Sequence, residues 1–485
     1  MIKQFDSFSS FKSTFYLLPF RFHRFKTEKE LIVNDFGDFL IIPKNTVNKI
    51  VNRKIIRSDN IYNDLISKFF ISEKKTPEYL EILATRYRTK KSFLFNFTSL
   101  HIIVPTLRCN QNCRYCQASH KESNRKGYDL KPIQIDLIIE LIFKSPSPYL
   151  TIEFQGGEPL LVFDLIKQIV IKCLKKNANK FKEIRFVICT NLISLTEKHL
   201  IFLKKYNIFI STSLDGPEFI HNKHRIYRDE NSYQITTKNI LKCKQILGND
   251  RVSALMTTSK YSLRYPKEII NEYLNQGFKN IFFRPINPFG LSIQNNNFNY
   301  TIDEFLVFYK AALNYIIELN KSGIYFVEEL ATIFLTKILT PFHGGFTDIQ
   351  SPSGAINSVV VYNYDGYVYA SDEARMMAET GNCFFRLGSI EKSTYEEIFY
   401  GFKAHEIIQS GLNEILPSCS ECAFQTYCGS DPVRNYHTQG DMIGKRPNND
   451  FCRKNRIIIE YLFELMENDL MIKRIFYSWV NHLNL

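Results

Sequence analysis

The stretch Cys109-Asn-Gln-Asn-Cys113-Arg-Tyr-Cys116 decides how the rest of the chain is read. Its cysteines, spaced Cys-x3-Cys-x2-Cys, follow directly on the apolar run Leu100-His-Ile-Ile-Val-Pro105. Three thiolates this close in sequence can converge on one metal centre, yet they leave a four-ligand shell incomplete. Catalysis at a metal needs such a gap, because a substrate can take the open position. The loop is therefore read as the ligand set of a cubane [4Fe-4S] cluster with one open iron. The competing reading is zinc, which would want a fourth protein ligand; His101 and His120 are the nearby candidates.

Working outward, a regular alternation begins at about residue 99. Short apolar runs at Leu100–Pro105, Leu150–Phe154, Ile184–Thr190, Ile208–Leu214, Val252–Thr258 and Asn280–Arg284 read as buried parallel strands. Helical patterns lie between them at Ile133–Phe143, Phe163–Lys175, Thr196–Tyr206, Tyr233–Leu247 and Pro266–Gln276. The expected fold class is α/β, a partial (β/α)6 TIM-type barrel. Such sheets put their chemistry in the loops at the C-terminal strand ends, where the cysteine loop falls.

Before this core, Glu30-Leu-Ile-Val-Asn34 and Phe39-Leu-Ile-Ile-Pro43 flank an Asp/Gly turn and read as a hairpin. Helices are expected at Thr46 to about Val51 and Asn60 to about Ile71, and Thr85–Lys91 reads as a polar linker. This order resembles the winged-helix-like module with which peptide-modifying enzymes grip a leader peptide; an N-terminal packing region is the alternative. After the core, residues 302–340 read as helical, opened by the capping box Thr301-Ile-Asp-Glu304. Ser358–Tyr369 reads as a hairpin turning at Asp365-Gly366, and Arg456–Leu470 as an amphipathic helix before an aromatic tail. The expected domains are 1–98 (α+β, a candidate peptide-recognition module), 99–345 (core), 346–455 (a small cysteine-rich iron–sulfur domain) and 456–485 (C-terminal helix).

Composition narrows the function classes. The chain has 485 residues, of which 45% are hydrophobic, and a net charge of +13. Its basic residues are dispersed rather than blocked, which argues against nucleic acid as partner. The cysteine count is 11, odd and concentrated in two tight groups, which argues against a disulfide framework. No secretory signal opens the chain, and no apolar run approaches the ~20 residues of a membrane span. A cytoplasmic protein without membrane contact is expected.

A second chemical stretch, Glu153-Phe-Gln-Gly-Gly-Glu-Pro159, ends the second strand. Paired glycines allow close approach to the backbone, and a glutamate beside them can accept hydrogen bonds from an ammonium group. With the cysteine loop, Thr190-Asn191, Ser213-Leu-Asp-Gly-Pro217 and His221-Asn-Lys-His-Arg225, residues 99–290 resemble the radical S-adenosylmethionine (SAM) superfamily. The resemblance implies that SAM chelates the fourth iron of the cluster held by Cys109, Cys113 and Cys116. It places SAM against Gly156, Gly157, Glu158 and Pro159, with Asn191 and Ser213 along its methionine and ribose side and Tyr115 near the adenine. Asp215 and Arg225 complete the set. The implied chemistry is one-electron reduction of the cluster, cleavage of the sulfonium to a 5′-deoxyadenosyl radical, and hydrogen abstraction from an unactivated carbon.

The second cysteine group is Cys419-x2-Cys422-x5-Cys428, then Cys452. Four thiolates complete a shell, so this site is closed, and taken alone it suits zinc at least as well as an iron–sulfur cluster. It resembles the auxiliary-cluster (SPASM) extension of radical SAM peptide-modifying enzymes, with three departures. Tyr369-Ala-Ser371 stands at the hairpin exit, Gly388-x4 leads to Ser393, and Cys428-x3 leads to Pro432, where that pattern has cysteines. The absent thiolates belong to its inner cluster, so one auxiliary [4Fe-4S] cluster is expected, with Cys383 as an alternative replacement ligand. Cys173, Cys189 and Cys243 read as core, and His221 and His224 as solvated or structural.

Leu17-Leu-Pro-Phe-Arg-Phe22, Cys116-Gln-Ala-Ser119, Phe283–Gly290, Ala370-Ser-Asp-Glu-Ala-Arg375 and Phe385-Arg-Leu-Gly-Ser389 resemble the B-type radical SAM maturase of His-Xaa-Ser systems. That implies a ribosomally made peptide substrate with a leader, an external flavodoxin- or ferredoxin-like electron donor, and a second maturase as partner. Two alternatives stand: a protein-modifying enzyme of the anaerobic sulfatase-maturase kind, and a non-catalytic iron–sulfur or zinc scaffold.

Overall fold

The computed structural model describes residues 15–74, 77–228, 230–290 and 300–483; the opening residues read for a secretory signal lie outside these. Three strands, β1 (Phe20–Arg24), β2 (Lys29–Asn34) and β3 (Phe39–Pro43), form an antiparallel N-terminal sheet. The alternating run around Arg21 thus adds a strand to the expected hairpin. Helices follow at Thr46–Val51 and Tyr62–Ser67, the second shorter than expected because Ile71–Ser72 turns back to pair with Tyr16–Leu17. This region has its own core, with Phe15, Ile32, Val47, Tyr62 and Ile71 among its buried residues.

The main sheet has nine strands. In chain order they are β4 (Leu100–Thr106), β5 (Tyr149–Gly156), β6 (Glu183–Thr190), β7 (Phe209–Ser213), β8 (Val252–Thr257), β9 (Phe283–Arg284), β10 (Val359–Tyr362), β11 (Tyr367–Tyr369) and β12 (Arg386–Ser389). Their spatial order is β9-β8-β7-β6-β5-β4-β10-β11-β12. The first seven in that order are parallel, and β11 and β12 close the edge antiparallel, so the sheet is mixed. The five expected connecting helices are present at Pro132–Phe143, Phe163–Lys176, Glu197–Lys205, Ser232–Leu247 and Pro266–Asn275.

The strands are less uniformly apolar than expected. In β5, Leu150, Ile152 and Phe154 are buried, while Thr151, Glu153 and Gln155 are only partly covered. The same alternation separates Ile188 from Cys189 in β6 and Ile210 from Ser211 in β7. One face is therefore the helix-covered core, and the other is a polar inner wall.

Four expectations are corrected. The last strand of the alternation is broken: Asn280–Ile281 pairs with Val327–Glu328, and only Phe283–Arg284 joins the main sheet. Val327–Glu328 also divides the 302–340 region into the helices Ile302–Lys321 and Glu329–Leu339. Thr85–Lys91 is no linker, since Thr85 to Lys90 lie in the helix Pro77–Lys90. Its end is held because Lys90 Nζ donates to the carbonyls of Phe36 (3.2 Å) and Lys337 (2.9 Å). The aromatic tail is a helix, Leu470–Asn481, with Trp479 fully buried and its indole N–H donating to Asn320 at 3.3 Å.

Candidate active site

The cysteine loop leaves β4 and is pinned by two short strand pairings. Arg108–Cys109 pairs with Lys121–Glu122, and Asn112–Cys113 pairs with Arg225–Ile226. Arg108 forms a two-pronged pair with Asp129, Nε and Nη2 each at 2.8 Å. A cavity of about 250 Å³ opens beside the loop at the C-terminal ends of the parallel strands. It brings together Cys109, Cys113, Cys116, Tyr115, Gly156, Gly157, Glu158, Asn191, Ser213 and Arg225. Pro159 and Asp215 are not on its surface. Pro159 opens a 3-10 turn behind the glycines, and Asp215 lies fully buried behind Tyr115 and Arg225.

The glycines are required, for a reason other than ligand approach alone. A Cβ on Gly157 would lie 2.2 Å from the carbonyl oxygen of Arg108 and 2.5 Å from that of Leu107. One on Gly156, at φ +121°, would lie 2.4 Å from the Thr106 carbonyl oxygen. The Gly157 and Glu158 amides donate to Thr106 (2.9 Å) and Arg108 (2.8 Å). The turn is thus pressed against the backbone that enters the cysteine loop. Gly290 does the same from another side, since its Cβ would meet the Gln117 carbonyl at 2.3 Å.

Glu158 is fully buried and ties two strand ends together. Its Oε1 accepts from Thr190 Oγ1 (2.7 Å) and the Leu160 amide (3.0 Å), and its Oε2 from the Asn191 amide (2.8 Å). A carboxylate has about four acceptor positions, so one is left for a ligand ammonium. Burial raises its pKa. Arg225 and Asp215 form a buried ion pair at 3.0 Å. Tyr115 donates its hydroxyl hydrogen to the same carboxylate, which ties the loop to the strand end.

The sulfurs sit in a set of donors suited to thiolates. Cys109 Sγ accepts from the Gln111 amide (3.5 Å) and from Asn191 Nδ2 (3.9 Å), and Cys113 Sγ from Arg225 Nη1 (3.9 Å). Burial pushes the Cys109 thiol well up and Cys113 to about 12. For Cys116 burial also pushes up, but hydrogen bonds and charge from His120 prevail and lower its pKa. Iron would displace these protons on binding, and the donors already in place would hold the resulting negative charge. Three thiolates with amide and guanidinium donors around them, beside an open cavity, are a donor set that fits a cluster.

One expectation changes here. Cys189 is on the cavity wall rather than in the core, whereas Cys173 and Cys243 are fully buried. Of the two readings of His221 and His224, solvated or structural, the structure agrees with the second: both are buried, His221 facing Ser232 Oγ at 3.2 Å and His224 facing Ser259 Oγ at 2.9 Å. Residues given no site role from the sequence also line the cavity, among them Gln155, Arg284, Arg375 and Met376. The alternation of β5 was the signal for Gln155. Arg284 and Arg375 lie inside the stretches Phe283–Gly290 and Ala370–Arg375, but local spacing does not place either beside the cysteine loop.

Cys419, Cys422, Cys428 and Cys452 share a second, smaller cavity of about 40 Å³. Arg446 Nε donates to Cys419 Sγ at 3.0 Å, and Asn455 Nδ2 to Cys428 Sγ at 3.6 Å. Cys383 is not on this cavity and accepts from Arg386 at 3.1 Å. At the three positions lacking cysteine, Ser371 caps a helix through the Ala374 amide, Ser393 accepts from the Ser389 amide, and Pro432 opens a helix.

Residues 103–272 match the Radical SAM superfamily. The chain is 25% identical over 344 residues to the cysteine-type anaerobic sulfatase-maturating enzyme of Clostridium novyi, covering 70% of this chain and 88% of that one. Its fold is similar to that of native anSMEcpe with bound AdoMet, with TM-score 0.63, 20% identity, and coverage of 79% of this chain and 99% of the other. It is also similar to Streptococcus suis SuiB bound to the precursor peptide SuiA, with TM-score 0.53, 15% identity, and coverage of 90% and 98%. Among the described residues no helix is long and apolar enough to cross a membrane.

Proposed function

We propose that the radical SAM domain at residues 103–272 serves an enzyme that modifies a ribosomally made peptide of the His-Xaa-Ser kind. The observation that carries this reading is the one cavity shared by Cys109, Cys113, Cys116 and Gly156–Glu158. Here the three cysteines hold the [4Fe-4S] cluster, and Gly156, Gly157, Glu158 and Pro159 secure the amino end of SAM. Asn191 and Ser213 take its methionine and ribose side, and Tyr115 lies near the adenine. When bound, these groups supply reductive sulfonium cleavage and hydrogen-atom abstraction from an unactivated carbon.

The chain's own residues orient and shield. Arg225 offers its guanidinium to Cys113, and Asp215 holds that guanidinium in place. Arg375 donates to the Ala118 carbonyl at 3.3 Å, bracing the cysteine loop from the opposite wall and restricting water. Cys419, Cys422, Cys428 and Cys452 hold one auxiliary [4Fe-4S] cluster that carries electrons or braces the fold. Residues 1–98 grip a leader, an external flavodoxin- or ferredoxin-like protein supplies electrons, and a second maturase is a partner.

The similarity to a sulfatase-maturating enzyme over most of its length favours a second reading, modification of a folded or nascent protein. Against it stand Ser371, Ser393 and Pro432, where the SPASM pattern has cysteines. The scaffold reading leaves the complete cysteine loop and the Gly-Gly-Glu turn without purpose. Anaerobic reconstitution tests the proposal: about eight irons per chain and 5′-deoxyadenosine release are expected, with mass change in a His-Xaa-Ser peptide but not in a sulfatase peptide. Cleavage of SAM with change only in the sulfatase peptide would select the second reading, and no cleavage would select the scaffold.

A further inference from the structure

The inner wall of the sheet carries a carboxylate that the cofactor reading does not use. Strand alternation puts Glu153 and Gln155 on this wall, in register with Val187 and close to Cys189 of the next strand. The Cys189 thiol donates to Glu153 Oε1 at 3.4 Å, and the Gln155 amide donates to the same oxygen. Gln155 and Cys189 both line the cavity, and Glu153, itself only partly covered, stands directly behind them on the same face of the sheet. Among the described residues, Oε2 accepts no hydrogen bond, and no lysine, arginine or histidine comes within ion-pair distance of the carboxylate.

Its neighbours make this conspicuous. Asp215 is neutralised by Arg225 at 3.0 Å, and Asp372 by Arg375 at 2.7 Å. Both are satisfied within the protein. Glu153 has only two neutral donors, both on one oxygen, and Arg284 acts on it from a distance. Burial raises its pKa, as expected for a desolvated carboxylate lacking a counter-ion. A buried charge of this kind is costly when left alone and forms strong bonds with a donor that comes to it.

We infer that Glu153 anchors the substrate side chain that enters the cavity, and that this side chain carries nitrogen-bound hydrogen, an imidazole or another cationic group. Cys189 and Gln155 are positioning residues: they hold Oε1 and leave Oε2 as the free acceptor. This rests on the cavity being the reaction site of a peptide-modifying radical enzyme, and it names which part of the peptide is held there. A side chain offering only carbon at this point would leave the carboxylate unpaired and be rejected for that reason.

The test uses the reconstituted holoenzyme with SAM and three synthetic peptides that differ at one residue, His-Xaa-Ser, Lys-Xaa-Ser and Ala-Xaa-Ser. Calorimetric titration of the wild type should give affinities at least about tenfold tighter for the first two than for the third. Glu153→Gln should reduce that ratio to less than about twofold, and Glu153→Asp, which keeps the charge, should restore part of it. Equal affinities in the wild type, no measurable binding of any peptide, or discrimination that survives in Glu153→Gln overturns the assignment. Failure of the wild type to cleave SAM at all is a different outcome, and it overturns the reading of the site rather than the role of Glu153.

Discussion

The two cysteine regions differ in how they settle their charge. Around Cys109, Cys113 and Cys116 the guanidinium that donates to a sulfur, Arg225, is already paired with Asp215, and the cavity is about 250 Å³. Around Cys419, Cys422, Cys428 and Cys452 the cavity is about 40 Å³, and the cations are not paired off. Lys337 Nζ donates to the carbonyls of Ile349 (2.8 Å) and Cys428 (3.0 Å), and Arg446 donates to Cys419 Sγ. Neither has a carboxylate partner among the described residues. Lys337 is buried, which lowers its pKa to about 7, and Arg446 is half-buried; an anion beside them keeps such groups charged, and four thiolates on a metal centre supply one. The first region pairs off the cation that touches its sulfurs and keeps room for a ligand. The second is tight and carries the countercharge of a closed anionic centre.

The sharpest way to break this contrast is to remove one sulfur from each. Cys113→Ala should abolish 5′-deoxyadenosine formation, measured by chromatography after anaerobic reconstitution. Cys428→Ala should lower iron from about eight to about four per chain while SAM cleavage persists. Loss of cleavage in both would make the two regions one functional unit. Gly157→Ala comes next. Its Cβ would press on two backbone carbonyls that cannot turn aside, so a stability loss of about 1–3 kcal/mol is expected, with SAM affinity falling at least about tenfold. Thermal unfolding and equilibrium dialysis would read both, and a wild-type affinity would show that the turn can open without cost.

Much of this was legible beforehand because it depends on short spacings and on strand period. The cysteine loop, the Gly-Gly-Glu turn and the order of strands and helices from residue 100 to 275 all follow from local pattern. The roles of single residues did not, because they depend on distant partners. Cys189 reads as core beside Val187 and Ile188, yet the period of two turns it to the opposite face from Ile188. His221 and His224 read equally as solvated or structural until Ser232 and Ser259 are brought against them. Lys90 and Lys91 read as linker, but the carbonyls of Lys337 and Ser351 that receive them are more than two hundred residues away. The glycine pair was read as a place where a ligand comes close, and what the structure brings there is the chain's own backbone.

A smaller effect is expected from Lys337→Met, which keeps the bulk of the side chain and removes the charge. A single charge at a distance of several ångström is worth about 1–2 kcal/mol at an effective dielectric of 20. The reduction potential of the auxiliary centre should therefore move negative by on the order of 50 mV for a one-electron couple. An EPR-monitored redox titration reads it, with the Cys109–Cys116 centre as internal reference. A shift of both centres together would mean that the charge difference between the regions does not localise their behaviour.

A comparable effect concerns the sheet that joins the two regions. Strand β4, which leads into the cysteine loop, pairs on its other side with β10 from the C-terminal part of the chain. At this seam His101 is fully buried, with Nδ1 3.2 Å from the Tyr362 hydroxyl oxygen. Burial pushes its pKa down to about 3. A lowered histidine pKa means that the unfolded chain binds the proton first, so stability is lost as pH falls below about 6.5. Between pH 7.5 and pH 5 this one group should cost about 2 kcal/mol. His101→Gln, which cannot be protonated, should flatten that part of the denaturation profile. If the two regions unfold in separate steps, the flattening should appear in both, because each depends on the strand pair that His101 spans. Confinement to one step would show that the seam is not what couples them.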